Sequence, residues 1–442
     1  KEKKSKPSKE LPLGFVDRQE KELLVRDFII SNIKEVMIKY GFQYLETPSF
    51  EYSDSIGKFL PDKERPDEGV FSFKDENKWL SLRYDLTAPL ARYVAKNYLE
   101  IPKPFKRYQL GTVWRNEKPG PGRFREFLQF DADYVGTKSL QADAELCVMI
   151  SEILEKCGLI KSEYTIKISS RKITEELFKK LNISDSQQKL TALRALDKID
   201  RLGWDGVKEL LGKGRKDKSG DFTKGANLKL EDIKTIEETL KKNSPETEDL
   251  VEILKTFKDY NFNNFEFDPS IIRGLEYYTG AIFEVNLKFD VTNNKGQVIQ
   301  FGSIGGGGRY DNLVNNFGNY DAPATGISIG LDRLVYALMQ KKEFKVKQSK
   351  PVVICVFDKN SMKDYINVQT ILRKAGVSTE IYPGESKLKK QMEYANKIKS
   401  PAVILYGENE IKSGKLTLRN LSSGEEKSIE IKELLNEIKK II

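Results

Sequence analysis

The chain of 442 residues contains no histidine. Without an imidazole it can hold no Ser-His-Asp or Cys-His nucleophile, no histidine general acid or base, and no histidine-ligated metal. Cysteine is scarce as well. Cys147, Cys157 and Cys355 are odd in number and form no C-x-x-C pair, which supports neither a disulfide framework nor a cysteine zinc site and fits a reducing cytoplasm. The longest apolar runs, Val352 to Phe357 and Ala402 to Tyr406, fall far below the ~20 residues a membrane-spanning helix needs, so no membrane partner is expected. No G-x-x-x-x-G-K-[ST] run and no G-x-G-x-x-G after a strand occurs. A bound nucleotide would therefore need a holder other than a P-loop or Rossmann cradle.

What is present is charge, with a modest basic excess of +9 that suits a polyanionic partner without specifying one. Residues 1–10 form a basic arm with no apolar stretch, unlike a signal peptide. From Arg18 to Tyr40, apolar residues recur at helical spacing (Leu23, Leu24, Phe28, Ile29, Ile33, Val36, Met37) and Gly41 follows, predicting a long amphipathic helix. Residues 70–84 and 105–136 read as short strands in an antiparallel arrangement, the second pair interrupted by NEKPGPGR. The stretch 171–260 turns Lys-, Leu- and Glu-rich and helical, with no strand signal of note, after which strand patterns resume. The charged, non-periodic residues 341–350 read as a linker. Beyond them, strand and helix patterns alternate to the end.

The expected organisation is therefore α+β: a basic arm (1–10), a first sheet-domain part (11–170), a helical insertion (171–260), a second sheet-domain part (261–340), a linker (341–350), and a separate α/β domain (351–442).

Arginines supply the alternative phosphate holder, since the planar guanidinium grips phosphate or carboxylate through two bonds and stays charged. Candidates are Arg115 in VWRNE, Arg123 and Arg125 in GRFREF, Arg273 in RGLEYYTG, Arg309 in GGGGRYD and Arg333 in IGLDRL. The run Gly305 to Gly308 either lets backbone approach a ligand or a neighbouring strand, or is a flexible loop. Asp131 and Asp133 alternate along a predicted strand and so share one face. That face matters chemically only if it is the floor of a pocket, where carboxylates demand a cationic or proton-donating ligand.

The segments SLRYDLTAPLAR, TVWRNEKPGPGRFREFLQFDADYVG, RGLEYYTG, GGGGRYDNL and GISIGLDRL, in this order, resemble histidyl-tRNA synthetase, a class II aminoacyl-tRNA synthetase. The resemblance covers residues 78–136, 269–284 and 302–336 and, with the long helix and the C-terminal α/β unit, nearly everything but the arm. It implies the class II antiparallel-sheet catalytic domain, with motifs 1 and 2 in 11–170, the histidine signatures and motif 3 in 261–340, and an anticodon-binding domain at 351–442. The implied activity is activation of L-histidine by ATP, with Mg²⁺ bridging phosphates, followed by transfer to the 3′ end of tRNA(His).

Carried over by position, Arg115 resembles the motif 2 arginine on the α-phosphate and the amino-acid carboxylate. Arg273 resembles the catalytic arginine beside the α-phosphate. Glu117, Arg123, Phe127, Gly330 and Arg333 would complete the ATP site, and Asp85, Leu86, Thr87, Gln129, Asp133, Tyr277 and Tyr278, with Arg115 and Arg273, the histidine site. No metal-ligand set is implied. The family pattern also implies a cytoplasmic homodimer, with the long helix near the two-fold axis, an insertion touching the acceptor arm, and no editing domain. The alternative is a catalytically inactive, histidine-binding regulatory paralog. Two departures stand out: Asp85 lies where some members have Glu, and Leu128 where a polar or aromatic residue is common.

Overall fold

Two ten-residue strands, Phe105–Trp114 and Glu126–Val135, pair antiparallel from Phe105 opposite Val135 to Trp114 opposite Glu126. Their alternation separates two environments. Phe130, Ala132 and Tyr134 enter the main apolar core, while Gln129, Asp131 and Asp133 point to the other face, where they line a cavity. These strands seed an eight-stranded sheet, in the order Gln43–Tyr44, Phe105–Trp114, Glu126–Val135, Ala324–Gly330, Ser303–Arg309, Ala281–Leu287, Tyr164–Ser170 and Phe265–Phe267. All neighbours run antiparallel except the two edge pairings, which are parallel.

The computed structural model describes residues 8–56, 69–120, 122–217, 220–242, 247–272, 277–293, 295–299, 301–341, 343–346, 348–384 and 386–442. Residues 1–7 of the basic arm and Arg273 lie outside them. The chain divides into two compact units, residues 1–346 and 347–442.

In the first unit, helices cover the apolar face of the sheet. The periodic segment forms a helix at Glu20–Lys39, with Val25, Ile29, Ile33, Val36 and Met37 buried. It joins Leu140–Lys156, Glu248–Asp259 and Leu331–Leu338 over one core. The helices Arg171–Lys180, Ser186–Leu196, Ile199–Leu211 and Leu230–Leu240 pack around a separate cluster that includes Phe178, Leu193, Leu211 and Ile236.

Two differences from the expected insertion emerge. Helix Glu248–Asp259 buries Leu250, Ile253 and Phe257 in the main core, so the insertion's own apolar cluster ends in sequence at Leu240, apart from Ile272. A hairpin of Gly214–Lys216 and Phe222–Lys224 also occurs in it. Three-residue polar strands are too short to show a period of two.

The second unit has a five-stranded sheet ordered Thr379–Ile381, Val352–Cys355, Ala402–Leu405, Lys415–Asn420 and Glu426–Glu430. The first three strands are parallel, connected through Met362–Lys374 and Leu388–Lys397. The last two pair antiparallel. Val352–Cys355 is buried throughout, the pattern of a parallel strand covered on both faces.

Candidate active site

Register places the polar residues of Glu126–Val135 in rows across the sheet. Asp133 faces Arg107 on one side and Gly326 on the other; Asp131 faces Gln109 and Ser328. The second row continues through Gly306 and Glu284 to Lys167. Glycine is a steric requirement here, because a Cβ on Gly326 would lie 1.8 Å from Asp133 Oδ1 and one on Gly307 would lie 2.0 Å from the Gly326 carbonyl oxygen. The glycine run is thus part of the strand Ser303–Arg309, and backbone approaches backbone and carboxylate across it.

Above this floor opens a cavity of about 390 Å³ lined by Asp85, Thr87, Arg115, Gln129, Asp131 and Asp133, closed on another side by Tyr277, Tyr278 and Tyr310. Asp85 sits at the start of the helix Thr87–Lys96, where its Oδ1 accepts from the Ala88 amide at 3.0 Å. Asp133 Oδ2 lies 3.0 Å from the fully buried guanidinium of Arg107, and Tyr310 donates its hydroxyl to the same carboxylate. Asp131 Oδ1 accepts from Gln129 Nε2 at 2.6 Å, and its Oδ2 from Thr87 Oγ1 at 3.4 Å.

Burial pushes the carboxyls of Asp85, Asp131 and Asp133 above the usual carboxylate range. The negative charge of Asp133 raises Asp131 further, whereas Arg107 pulls both down. Burial likewise raises the Tyr277 and Tyr310 phenols, keeping them neutral donors. Such a cavity, with three carboxylates set against the guanidiniums of Arg107 behind its floor and Arg115 at its edge, is matched by a ligand that brings ammonium and N–H donors.

A second cavity of about 770 Å³ shares Arg115, Glu117, Gln129, Tyr277 and Tyr278 with the first. It continues past Arg123, Phe127, Gly330 and Arg333. Arg115 is fixed at the junction: its Nε donates to the Tyr84 carbonyl at 3.1 Å, and its guanidinium stacks 5.2 Å from the Phe127 ring centre. Arg333 donates from Nε to the Ser303 carbonyl at 2.9 Å and lies over the Phe301 ring. Its neighbour Asp332 also borders this cavity. There it accepts from the Leu128 amide at 2.6 Å and pairs with Arg18 at 3.2 Å and Arg26 at 3.6 Å.

Of the residues singled out from the sequence, Asp85, Thr87, Arg115, Glu117, Gln129, Asp133, Tyr277 and Tyr278 line the first cavity, and Arg115, Glu117, Arg123, Phe127, Gly330 and Arg333 the second. Others stand elsewhere. Leu86 is fully buried, and its carbonyl accepts from Arg107 at 3.0 Å. Arg309 is no phosphate holder: it is locked in the interior, paired with Asp143 and donating to the Thr137 and Ser139 carbonyls at 2.9 and 3.0 Å. Arg125 donates its amide to the Gly14 carbonyl at 2.8 Å and stacks on Phe71. Sequence reasoning did not assign Arg107, Asp131, Tyr310 or Asp332 to the site. For Asp131 a signal existed, the alternation Gln129, Asp131, Asp133; Arg107 and Tyr310 are identified only by strand pairing.

A family model described as histidyl-tRNA synthetase matches residues 14–334, and one described as an anticodon binding domain matches residues 350–441. A histidine–tRNA ligase of Bartonella quintana is 45% identical over 98% of this chain and 92% of that protein. One of Bartonella henselae is 46% identical over 98% and 93%. Among solved structures, a histidyl-tRNA synthetase from a Nostoc species superposes with TM-score 0.75 at 28% identity, covering 99% of this chain and 100% of that one. A Bacillus halodurans structure titled as an ATP phosphoribosyltransferase regulatory subunit/histidyl-tRNA synthetase shares the fold, with TM-score 0.66 at 22% identity over 88% of this chain and 97% of that one. With its cavities on the antiparallel sheet and both family regions present in order, the chain belongs to the histidyl-tRNA synthetase family of class II aminoacyl-tRNA synthetases.

Proposed function

We propose that the two joined cavities are where this chain, whose activity is ATP-dependent ligation of histidine to tRNA, makes histidyl-adenylate before passing the histidyl group to the 3′ end of tRNA(His). The observation that carries this reading is the place of Arg115, which lines both the acidic cavity and the second, arginine-bearing one. A guanidinium there can hold the histidine carboxylate against the α-phosphate of ATP. The carboxylate oxygen attacks that phosphorus and pyrophosphate leaves. The terminal tRNA hydroxyl then attacks the carbonyl carbon and AMP departs.

In this reading Asp85, Thr87 and Gln129 take the α-ammonium. Asp133 accepts from one imidazole nitrogen, and Tyr278, with Tyr277 beside it, contacts the other end of the ring. Each charge-assisted bond is worth roughly 1.5–3 kcal/mol. Arg123 and Arg333 take the distal phosphates, Glu117 the adenine side, and Phe127 stacks on the base. Arg273 places a fixed charge beside the α-phosphate, electrostatic stabilisation whose loss typically costs on the order of 10²- to 10³-fold in rate. No step needs a histidine side chain.

Mg²⁺ would neutralise phosphate charge. Among the described residues no group of three acidic or cysteine ligands stands ready for a metal. Such an ion is carried mainly by phosphates, with one or two carboxylates at most; Glu284, buried on the second cavity's wall, would hold it.

A cytoplasmic homodimer fits the three free buried cysteines and the exposed apolar side chains Phe28, Ile38, Phe50 and Trp79. Residues 351–442 would contact the anticodon, and the helical insertion the acceptor arm. The regulatory-paralog alternative is not favoured.

Pyrophosphate exchange into ATP with each amino acid in turn tests the function. Exchange stimulated by histidine alone is expected; no exchange with folded, Mg²⁺-supplied protein overturns it.

A further inference from the structure

Asp131 is a liability unless a ligand uses it. It is 2% exposed, and its charge adds to that of Asp133 two residues away. Of the cations that act on that region, Arg107 is 3.0 Å from Asp133 and also donates to the Leu86 carbonyl, while Arg83, whose charge also reaches Asp131, donates to the Thr112 and Thr47 carbonyls. Its cross-strand neighbours Gln109 and Ser328 are neutral, and Ser328 gives its hydroxyl proton to the Gly306 carbonyl. A buried carboxylate in this position costs stability. Its two donors, Gln129 Nε2 and Thr87 Oγ1, are residues that the reading above assigns to the substrate ammonium.

Those bonds have a polarity. An amide that gives its N–H to Asp131 turns Oε1 away from it, and a hydroxyl that gives up its proton keeps only acceptor capacity. With the Asp85 carboxylate, whose Oδ1 takes the Ala88 amide, three side-chain acceptors are then left for a ligand, one each on Asp85, Thr87 and Gln129. An ammonium has three N–H donors and no acceptor.

We propose that Asp131 is the positioning residue of the ammonium subsite: by taking the protons of Gln129 and Thr87 it turns both oxygens toward the substrate. Together with Asp85 they then present three acceptors to three N–H bonds. The proposal rests on the assignment of Asp85, Thr87 and Gln129 to the ammonium.

The test uses the full chain and calorimetric binding of three ligands: histidine, histidinol, which keeps the ammonium and lacks the carboxylate, and imidazolepropionate, which lacks the ammonium. Asp131→Asn should weaken histidine and histidinol by about tenfold or more and change imidazolepropionate by no more than about twofold. Asp131→Ser, measured in parallel, should show the same pattern, and retained imidazolepropionate binding reports an intact pocket. Equal loss for all three ligands, or no loss for any, overturns the proposal. If the unmutated chain binds imidazolepropionate as tightly as histidine, it is the ammonium assignment itself that fails, whatever the variants do.

Discussion

Arg107 and Asp133 face each other across neighbouring strands with guanidinium and carboxylate 3.0 Å apart, both almost wholly shielded from water. The pair anchors one end of the pocket from behind: Arg107 compensates the charge, and Tyr310 orients the other carboxylate oxygen. Removing one partner of a buried pair leaves an uncompensated charge, so Arg107→Met should destabilise the first unit by about 3–5 kcal/mol. Denaturant unfolding measures it, and a loss below about 1 kcal/mol would contradict this account.

Because burial and Asp133 raise the Asp131 carboxyl from 3.8 to about 7, the folded chain keeps a proton there, between those values, that the unfolded chain has lost, and Asp131 is a carboxylate above them. Its contribution to stability is complete at acid pH and is lost as pH rises through the folded-state value. Asp131→Asn escapes that loss. Relative to the unmutated chain, the variant should therefore be more stable at about pH 8 than at about pH 5, even though it binds histidine less well. With no histidine in the sequence, no imidazole obscures this window. Thermal unfolding at the two pH values checks the sign; a difference of the opposite sign would refute it.

Asp332 ties three elements together through Leu128, Arg18 and Arg26. Leu128 lies between Phe127 and Gln129, and Asp332 itself precedes Arg333. Asp332→Ala should raise the KM for ATP in pyrophosphate exchange several-fold more than the KM for histidine, whereas Asp332→Asn, which still accepts from the Leu128 amide, should recover part of it. Equal changes in both constants would show a general loss of packing.

Gly326→Ala places a methyl group where Asp133 Oδ1 now lies, 1.8 Å from the ideal Cβ position. Histidine-dependent exchange should fall by at least about 10²-fold, the scale expected when a pocket's central polar group is displaced, while ATP binding in the second cavity persists. Retained histidine affinity would mean that Asp133 moves without consequence.

Arg273→Ala tests the residue assigned from RGLEYYTG. Single-turnover adenylate formation should drop by roughly 10²- to 10³-fold, with a much smaller change in histidine affinity. Matching losses in the two would make the arginine a binding residue alone.

The primary sequence by itself determined the periodic features. The stripe from Val25 to Met37 lies on one helix face, the alternation in residues 352–405 makes a parallel sheet with covering helices, and Gln129, Asp131 and Asp133 share a face. Each depends on residues a few positions apart, where backbone geometry alone sets which side chains are neighbours.

Only the tertiary structure decided which charges are compensated. Arg309 and Arg115 both follow plausible motifs, yet Arg309 meets Asp143, over a hundred positions away, while Arg115 reaches the junction of two cavities. Arg107, Tyr310 and Asp133 form one cluster only because pairing and packing join segments 26 and 177 residues apart. Burial and charge balance arise between strands, so the chain's local pattern carries no record of them.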